Sequence, residues 1–127
     1  MFLGTYQPNL IGKGRLALPK KIRGELKGKR IVLTVGFEEC VFGFAEEDWE
    51  KIVGPELERP LFSDAEGREL RRQMCMNAMV VNLDSQGRFV IPRVMLKYAA
   101  IEGKLKLLGA GDHFEIWSEK KWEEYQH

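Results

Sequence analysis

Arg15 and Arg88 each follow a glycine at the end of a short polar run, within Asn9–Pro19 (NLIGKGRLALP) and Asn82–Pro92 (NLDSQGRFVIP). An arginine just past a glycine-containing turn carries its guanidinium on the shoulder of a hairpin, where a planar fork of donors can reach away from the backbone. Such a fork suits phosphate, and it pairs in bidentate fashion with O6 and N7 of guanine in the major groove of duplex DNA. Basic side chains around it would neutralise phosphates, adding affinity without reading sequence. On this pattern Arg15 and Arg88 are candidate base readers. Lys13, Lys20, Lys21, Arg23 and Arg93 are candidate clamps on the phosphate backbone. Gly14, Gln86 and Gly87 complete the two candidate contact loops, the glycines permitting close backbone approach.

Asp84 stands four residues before Arg88, where it can orient the guanidinium or serve as an ordinary Asx-turn residue. Ile11 occupies the matching place before Arg15, so the two loops are unequal. A lone Gly-Arg pair is ordinary turn chemistry. Two copies, the first of them in a basic stretch, favour the binding reading.

The phrases share one offset, since 82 − 9, 88 − 15 and 92 − 19 all equal 73, and Trp49-Glu50 recurs at that offset as Trp122-Glu123. A whole unit is therefore duplicated. A chain of 127 residues has room for one core of ordinary size. Residues 1–127 therefore read as a single pseudo-symmetric domain, with repeat one at 1–53, a linker helix region at 54–78 and repeat two at 79–127. Within each repeat the expected order is β, β, α, β, β, α.

In repeat one the strands are placed at Gln7–Leu10, Arg15–Leu18, Ile31–Val35 and Val41–Phe44, with helices after Pro19 and from Glu46. In repeat two they are placed at Met79–Leu83, Arg88–Ile91, Leu105–Leu108 and Phe114–Trp117, with helices from Pro92 and after Ser118. Gly54–Phe62 contains proline and reads as a loop. Ser63 to Glu66 has capping-box spacing and opens a helix toward Ala78. That helix carries Arg68, Arg71 and Arg72, whose partners are left open among solvent, a neighbouring subunit and nucleic acid. Tryptophans and phenylalanines close to these elements are assigned to the core or a subunit interface.

The net charge of +1 hides a segregation: Lys13 to Arg30 holds eight basic residues and one acid, Glu38 to Glu58 eight acids and one base. One basic face and one acidic face follow. At 44% hydrophobic and 31% charged residues, without a spanning apolar run or a signal peptide, the chain reads as soluble and cytoplasmic. Cys40 and Cys75 fit two reduced thiols. No metal-ligand spacing, P-loop or convincing carboxylate pair appears, and a nucleophile built from Cys40 or Cys75 with His113 lacks activating neighbours. The reading is of a protein without catalytic or metal residues, cofactor or small-molecule substrate.

The chain resembles the MraZ family, regulators built from two tandem AbrB-like half-units. The resemblance rests on Met1-Phe2-Leu3-Gly4, the two NLxxxGR phrases with their terminal prolines, the acidic helix starts before Trp49 and Trp122, and Phe114-Glu115-Ile116-Trp117. The family's Asp-x-x-x-Arg motif is intact at Asp84–Arg88 and broken at Ile11–Arg15.

The resemblance implies a mixed α+β, mainly β fold: a double-split, swapped-hairpin β-barrel with flanking helices. It implies a nucleoid-associated transcriptional regulator that forms ring-like homo-oligomers. Its partner would be double-stranded DNA at promoter direct repeats ahead of the division and cell-wall gene cluster, its own gene included. The competing reading is an oligomeric interaction or scaffold module without direct DNA readout.

Overall fold

Arg15 of the first repeated phrase pairs with Val90 of the second, so the duplicated segments are hydrogen-bonded to each other. The computed structural model describes Met1–His127. Its first half contains β1 (Thr5–Tyr6), β2 (Arg15–Ala17), α1 (Lys20–Arg23), β3 (Arg30–Val35), β4 (Val41–Ala45) and α2 (Glu46–Leu57). After the linker helix α3 (Ala65–Cys75), the second half contains β5 (Met79–Asn82), β6 (Arg88–Val90), α4 (Arg93–Tyr98), β7 (Leu105–Gly109), β8 (Phe114–Ser118) and α5 (Glu119–Gln126).

The strands form a six-stranded sheet in the order β1-β7-β8-β4-β3-β5 and a separate ladder of β2 with β6. β1 of repeat one joins β7 of repeat two, and β5 of repeat two joins β3 of repeat one. Each repeat thus gives its first strand to the other. β1 and β5 are the open edges of the larger sheet, so the hydrogen-bonded strands close no barrel within one chain.

The registers reveal the internal symmetry. Leu16 faces Phe89 in the small ladder and Phe42 faces Glu115 in the large sheet. Both pairs join equivalent positions of the two repeats, because 89 − 16 and 115 − 42 equal the offset of the phrases. A pseudo-two-fold axis therefore passes through both pairs. The spacing is not uniform, however: Ser118 is the equivalent of Ala45, but its partner Leu105 stands one position beyond the equivalent of Ile31. One extra residue precedes β7, and the turn after it is one residue shorter than the turn after β3, so the register is regained in β8.

Strand alternation sends Leu16 and Phe89 inward, 0% and 3% exposed, where they join Ile22, Ile31, Leu33, Ile91, Met95, Leu107 and Phe114 in one core shared by both repeats. Burial of each such side chain contributes roughly 1.5–3 kcal/mol, which pins the short ladder in its register. On the other side, Phe42, Phe44, Met74 and Trp117 form a second cluster, with Trp49 and Trp122 packed against it. The aromatic residues are packing anchors.

Three local expectations need correction. The first strand is Thr5–Tyr6 rather than Gln7–Leu10, with only an isolated bridge from Asn9 to Lys104. Pro8 has no amide hydrogen for the intervening rung. The span 54–62 is not all loop, because α2 runs through Pro55 to Leu57. A proline so near the helix end removes a single bond, and the helix stops two residues later.

The third correction concerns α3, which is capped by Asp64, accepting from the Gly67 amide at 2.8 Å, and not by a Ser63–Glu66 box. Asp64 also takes two donors of Arg59, at 2.7 and 3.1 Å. The cap is therefore already held by charge-assisted bonds.

α3 resolves what its arginines do. Arg68 donates to the Leu61 and Phe62 carbonyls, each at 3.0 Å, and Arg71 to those of Leu57 and Arg59 at 3.1 and 3.2 Å. Arg72 pairs with Glu69 at 2.7 Å. The connector between α2 and α3 is thereby tied down, with Phe62 left 93% exposed at its tip. Charge segregation is partly neutralised within the chain as well: because Ile31 faces Ala45, Arg30 meets Glu46 at 2.9 Å.

Candidate nucleic-acid interface

Because Leu16 and Phe89 point inward, their neighbours Arg15, Ala17, Arg88 and Val90 share the outer face of the β2–β6 ladder. Arg15 stands opposite Val90 and Arg88 opposite Ala17, which makes the two arginines a diagonal pair. Diagonal Cβ atoms on such a ladder are typically about 7–8 Å apart. A shallow depression of about 340 Å³ is lined by Arg15, Asn82, Asp84, Arg88 and Val90 among others. Equivalent arginines, far apart in the chain, thus form one surface.

The turns that flank this surface are built differently. In the second, the Asp84 carboxylate accepts from the Gln86 amide at 2.9 Å, the Arg88 amide at 2.8 Å and Arg88 Nε at 2.7 Å. The Arg88 amide and guanidinium, with help from the Gln86 amide, hold the Asp84 carboxyl down at about 2. Asp84 is thus both an Asx-turn residue and the orienting partner of Arg88. In the first turn, the Ile11 carbonyl takes the Arg15 amide at 3.0 Å, and the Arg15 guanidinium stands exposed without an acidic partner. The ladder presents one oriented arginine and one free one.

Gly14 and Gly87 are buried, with φ of +100° and +74°. They hold the turns rather than forming an outer surface. A Cβ built on Gly87 would lie 2.7 Å from Arg23 Cδ, and one on Gly14 would lie 3.0 Å from Leu96 Cδ1. Leu96 is the repeat equivalent of Arg23, so each helix covers the glycine of the other repeat's turn. Arg23 also donates to the Ser85 carbonyl. Part of its expected capacity as a phosphate clamp is therefore taken up in positioning the second turn.

Lys13 and Gln86 occupy equivalent exposed places in the two turns. Lys20 and Arg93, equivalent again, are the exposed first residues of α1 and α4, with Lys21 exposed beside Lys20. These groups surround the ladder without ion pairs to acidic residues. Val90, 51% exposed on this face at the end of β6, is a residue that polar side-chain chemistry does not single out. Its signal in the sequence is the period-two alternation around Phe89.

The cysteine–histidine alternative finds no support in the geometry. Cys40 is buried, and burial, followed by Glu115 and Glu38, pushes its thiol far up. His113 is engaged by Asp112 and Glu115, each at 2.8 Å. A thiol held protonated is a poor nucleophile.

The class defined here is a strand-exchanged internal duplication that carries a basic two-stranded ribbon on one face. A family profile described as "MraZ protein, putative antitoxin-like" matches residues 1–72 and 74–127. The chain belongs to the MraZ family, whose members are transcriptional regulators and not enzymes.

Among similar proteins, "Transcriptional regulator MraZ" of Marinobacter nauticus is 37% identical, over 98% of this chain and 85% of the relative. The protein of that name from Roseiflexus castenholzii is 37% identical over 97% and 85%. That from Lactobacillus delbrueckii subsp. bulgaricus is 37% identical over 98% and 86%. No helix is long and apolar enough to cross a membrane.

Proposed function

We propose that the chain is a sequence-specific DNA-binding regulator whose β2–β6 ribbon enters the major groove. The observation that carries this reading is the placement of Arg15 and Arg88 on one outer face of a two-stranded ladder. The major groove, about 12 Å wide, admits such a ribbon, and a guanidinium fork matches guanine there. Lys13, Lys20, Lys21 and Arg93 flank the ribbon as phosphate contacts, Gln86 lies beside the second reader, and Arg23 supports its turn.

The preferred targets are promoter direct repeats ahead of the division and cell-wall genes, its own gene included, which places the protein at the nucleoid. Ring-like self-association suits direct repeats, because subunits related head to tail present the same face in one direction. The exposed Phe62, on a connector fixed by Arg68 and Arg71, supports a contact between copies. The between-repeat strand exchange fits the swapped-hairpin architecture implied by the family.

Fluorescence anisotropy on the DNA upstream of its gene, run across a salt series, tests the reading. Affinity should fall steeply with salt, by a log–log slope of roughly 0.9 for each phosphate contacted. A flat response, or equal affinity for the Arg15→Ala, Arg88→Ala double variant, would favour a scaffold without DNA readout.

A further inference from the structure

We propose that Val90 is a specificity residue that reads the C5 methyl of a thymine beside the guanine taken by Arg15. This rests on the ribbon reading given above. Every strongly polar group on the ladder's outer face has a partner chemistry in the groove, but Val90 has none among phosphates, sugars or base hydrogen-bonding edges. It is nevertheless 51% exposed, directly opposite Arg15 in the register, and it lines the depression shared by Arg15 and Arg88.

Directly opposed Cβ atoms on such a ladder lie about 4.5–5.5 Å apart. The long Arg15 side chain can therefore reach a base edge to one side while the short branched one meets the base beneath it. The thymine methyl is the apolar group that base pairs display in the major groove, and it stands out from the base edge.

The repeat equivalent of Val90 is Ala17, which lies opposite Arg88 and is only partly exposed. It is shorter by two methyl groups. The two reading units therefore differ a second time: the Arg15 side is selective for thymine through Val90, while the Arg88 side relies on an oriented guanidinium with little demand for a methyl. Val90 is placed by its strand, between the buried Phe89 and Ile91 and paired with Arg15 in the ladder.

The test begins with selection from a randomised duplex library by the wild-type chain, followed by replacement of each selected thymine with deoxyuridine. Removing the C5 methyl at one position should weaken wild-type binding about fourfold, the effect of withdrawing one apolar carbon from contact. Val90→Ala should bind the thymine duplex with the same loss and no longer distinguish it from the deoxyuridine duplex. Arg15→Ala should relax the neighbouring guanine while keeping the methyl preference.

Equal wild-type affinity for thymine and deoxyuridine duplexes at every position would overturn the assignment of Val90. So would a methyl preference that survives Val90→Ala. Selection that enriches no sequence at all would instead overturn the ribbon reading itself. The deoxyuridine arm alters only the DNA, so a folding defect in a variant cannot imitate it.

Discussion

Asp84 Oδ2 takes the Arg88 Nε at 2.7 Å, and Asp84 Oδ1 takes the amide of the same residue at 2.8 Å. The guanidinium is thereby oriented before any ligand arrives, and its remaining donors are left for a base. Preorganisation of this kind lowers the entropy cost of binding. Arg88→Ala is expected to weaken specific DNA binding by about 1–3 kcal/mol and to relax the preference at one base pair. Competition against a panel of single-base variants measures both effects. Equal losses on all sequences would reduce Arg88 to a phosphate contact.

Arg15 lacks this support because Ile11 occupies the aspartate's place, 53% exposed to solvent. The first turn is built differently from the second, yet the Ile11 and Arg15 main chains are hydrogen-bonded to each other at 2.7 and 3.0 Å, which keeps position 11 beside Arg15. Ile11→Asp should therefore restore the missing carboxylate and orient Arg15, sharpening discrimination at its base without lowering stability. The introduced carboxyl should titrate below the ordinary aspartate range, as Asp84 does at about 2. NMR titration of the side-chain carboxyl, beside the same base panel, checks the pair of outcomes. A carboxyl that titrates normally would show that no bond to Arg15 had formed.

Gly87 is constrained twice, by a φ of +74° and by Arg23 Cδ 2.7 Å from where a Cβ would stand. Gly12 has a φ of +57° and open space around it. Gly12→Ala should cost only the left-handed backbone strain, about 1–2 kcal/mol, and Gly87→Ala should cost more. Arg23→Ala in the Gly87→Ala background should recover the difference, since it removes the crowding but not the strain. Denaturant unfolding of the variants, with Arg23→Ala alone as the control, measures it. Identical losses at the two glycines would show that Arg23 gives way freely.

Much of this was legible because the repeat is a local property of the sequence. Gly-Arg after a polar run announced both turns, and Pro19 and Pro92 announced the helices behind them. The strand partners were not legible, since the choice between pairing β1 within its own repeat or with β7 depends on a contact near the other end of the chain. The one-residue slip at Leu105 was hidden for a related reason: it is cancelled by the next turn, so the flanking motifs keep their spacing. Pro55 misled because a proline in the last helical turn leaves the same local signal as one in a loop.

Phe62 stands 93% exposed on a connector whose carbonyls at Leu57, Arg59, Leu61 and Phe62 are held by Arg71 and Arg68. Leu57 and Leu61 are exposed beside it, at 44% and 47%. An apolar tip this rigid is suited to burial against another copy. Phe62→Ser should lower the mass seen by light scattering while leaving the unfolding free energy of the isolated chain within about 0.5 kcal/mol of its original value. An unchanged mass would remove the tip from the contact.

His113 makes the stability of the fold depend on pH. Burial opposes its charge, but hydrogen bonds to Glu115 and Asp112 outweigh burial and raise its pKa above the ordinary value. A group whose folded pKa is raised contributes stability that is complete below its unfolded value, about 6.5, and is lost as pH rises through the folded value. Glu115 behaves oppositely: burial would raise its pKa, but His113 and Trp117 hold it down, so its contribution is lost at acid pH. The pair is strongest in the window between.

Unfolding free energy should therefore decline from mildly acidic to alkaline pH, and Glu115→Gln, which keeps an acceptor for Trp117 Nε1, should flatten the decline. Denaturant titrations at a series of pH values compare the two proteins. Parallel pH profiles would mean that the His113–Glu115 contact adds nothing to stability, and that the strand carrying it is held by Phe114 and Ile116 packing alone.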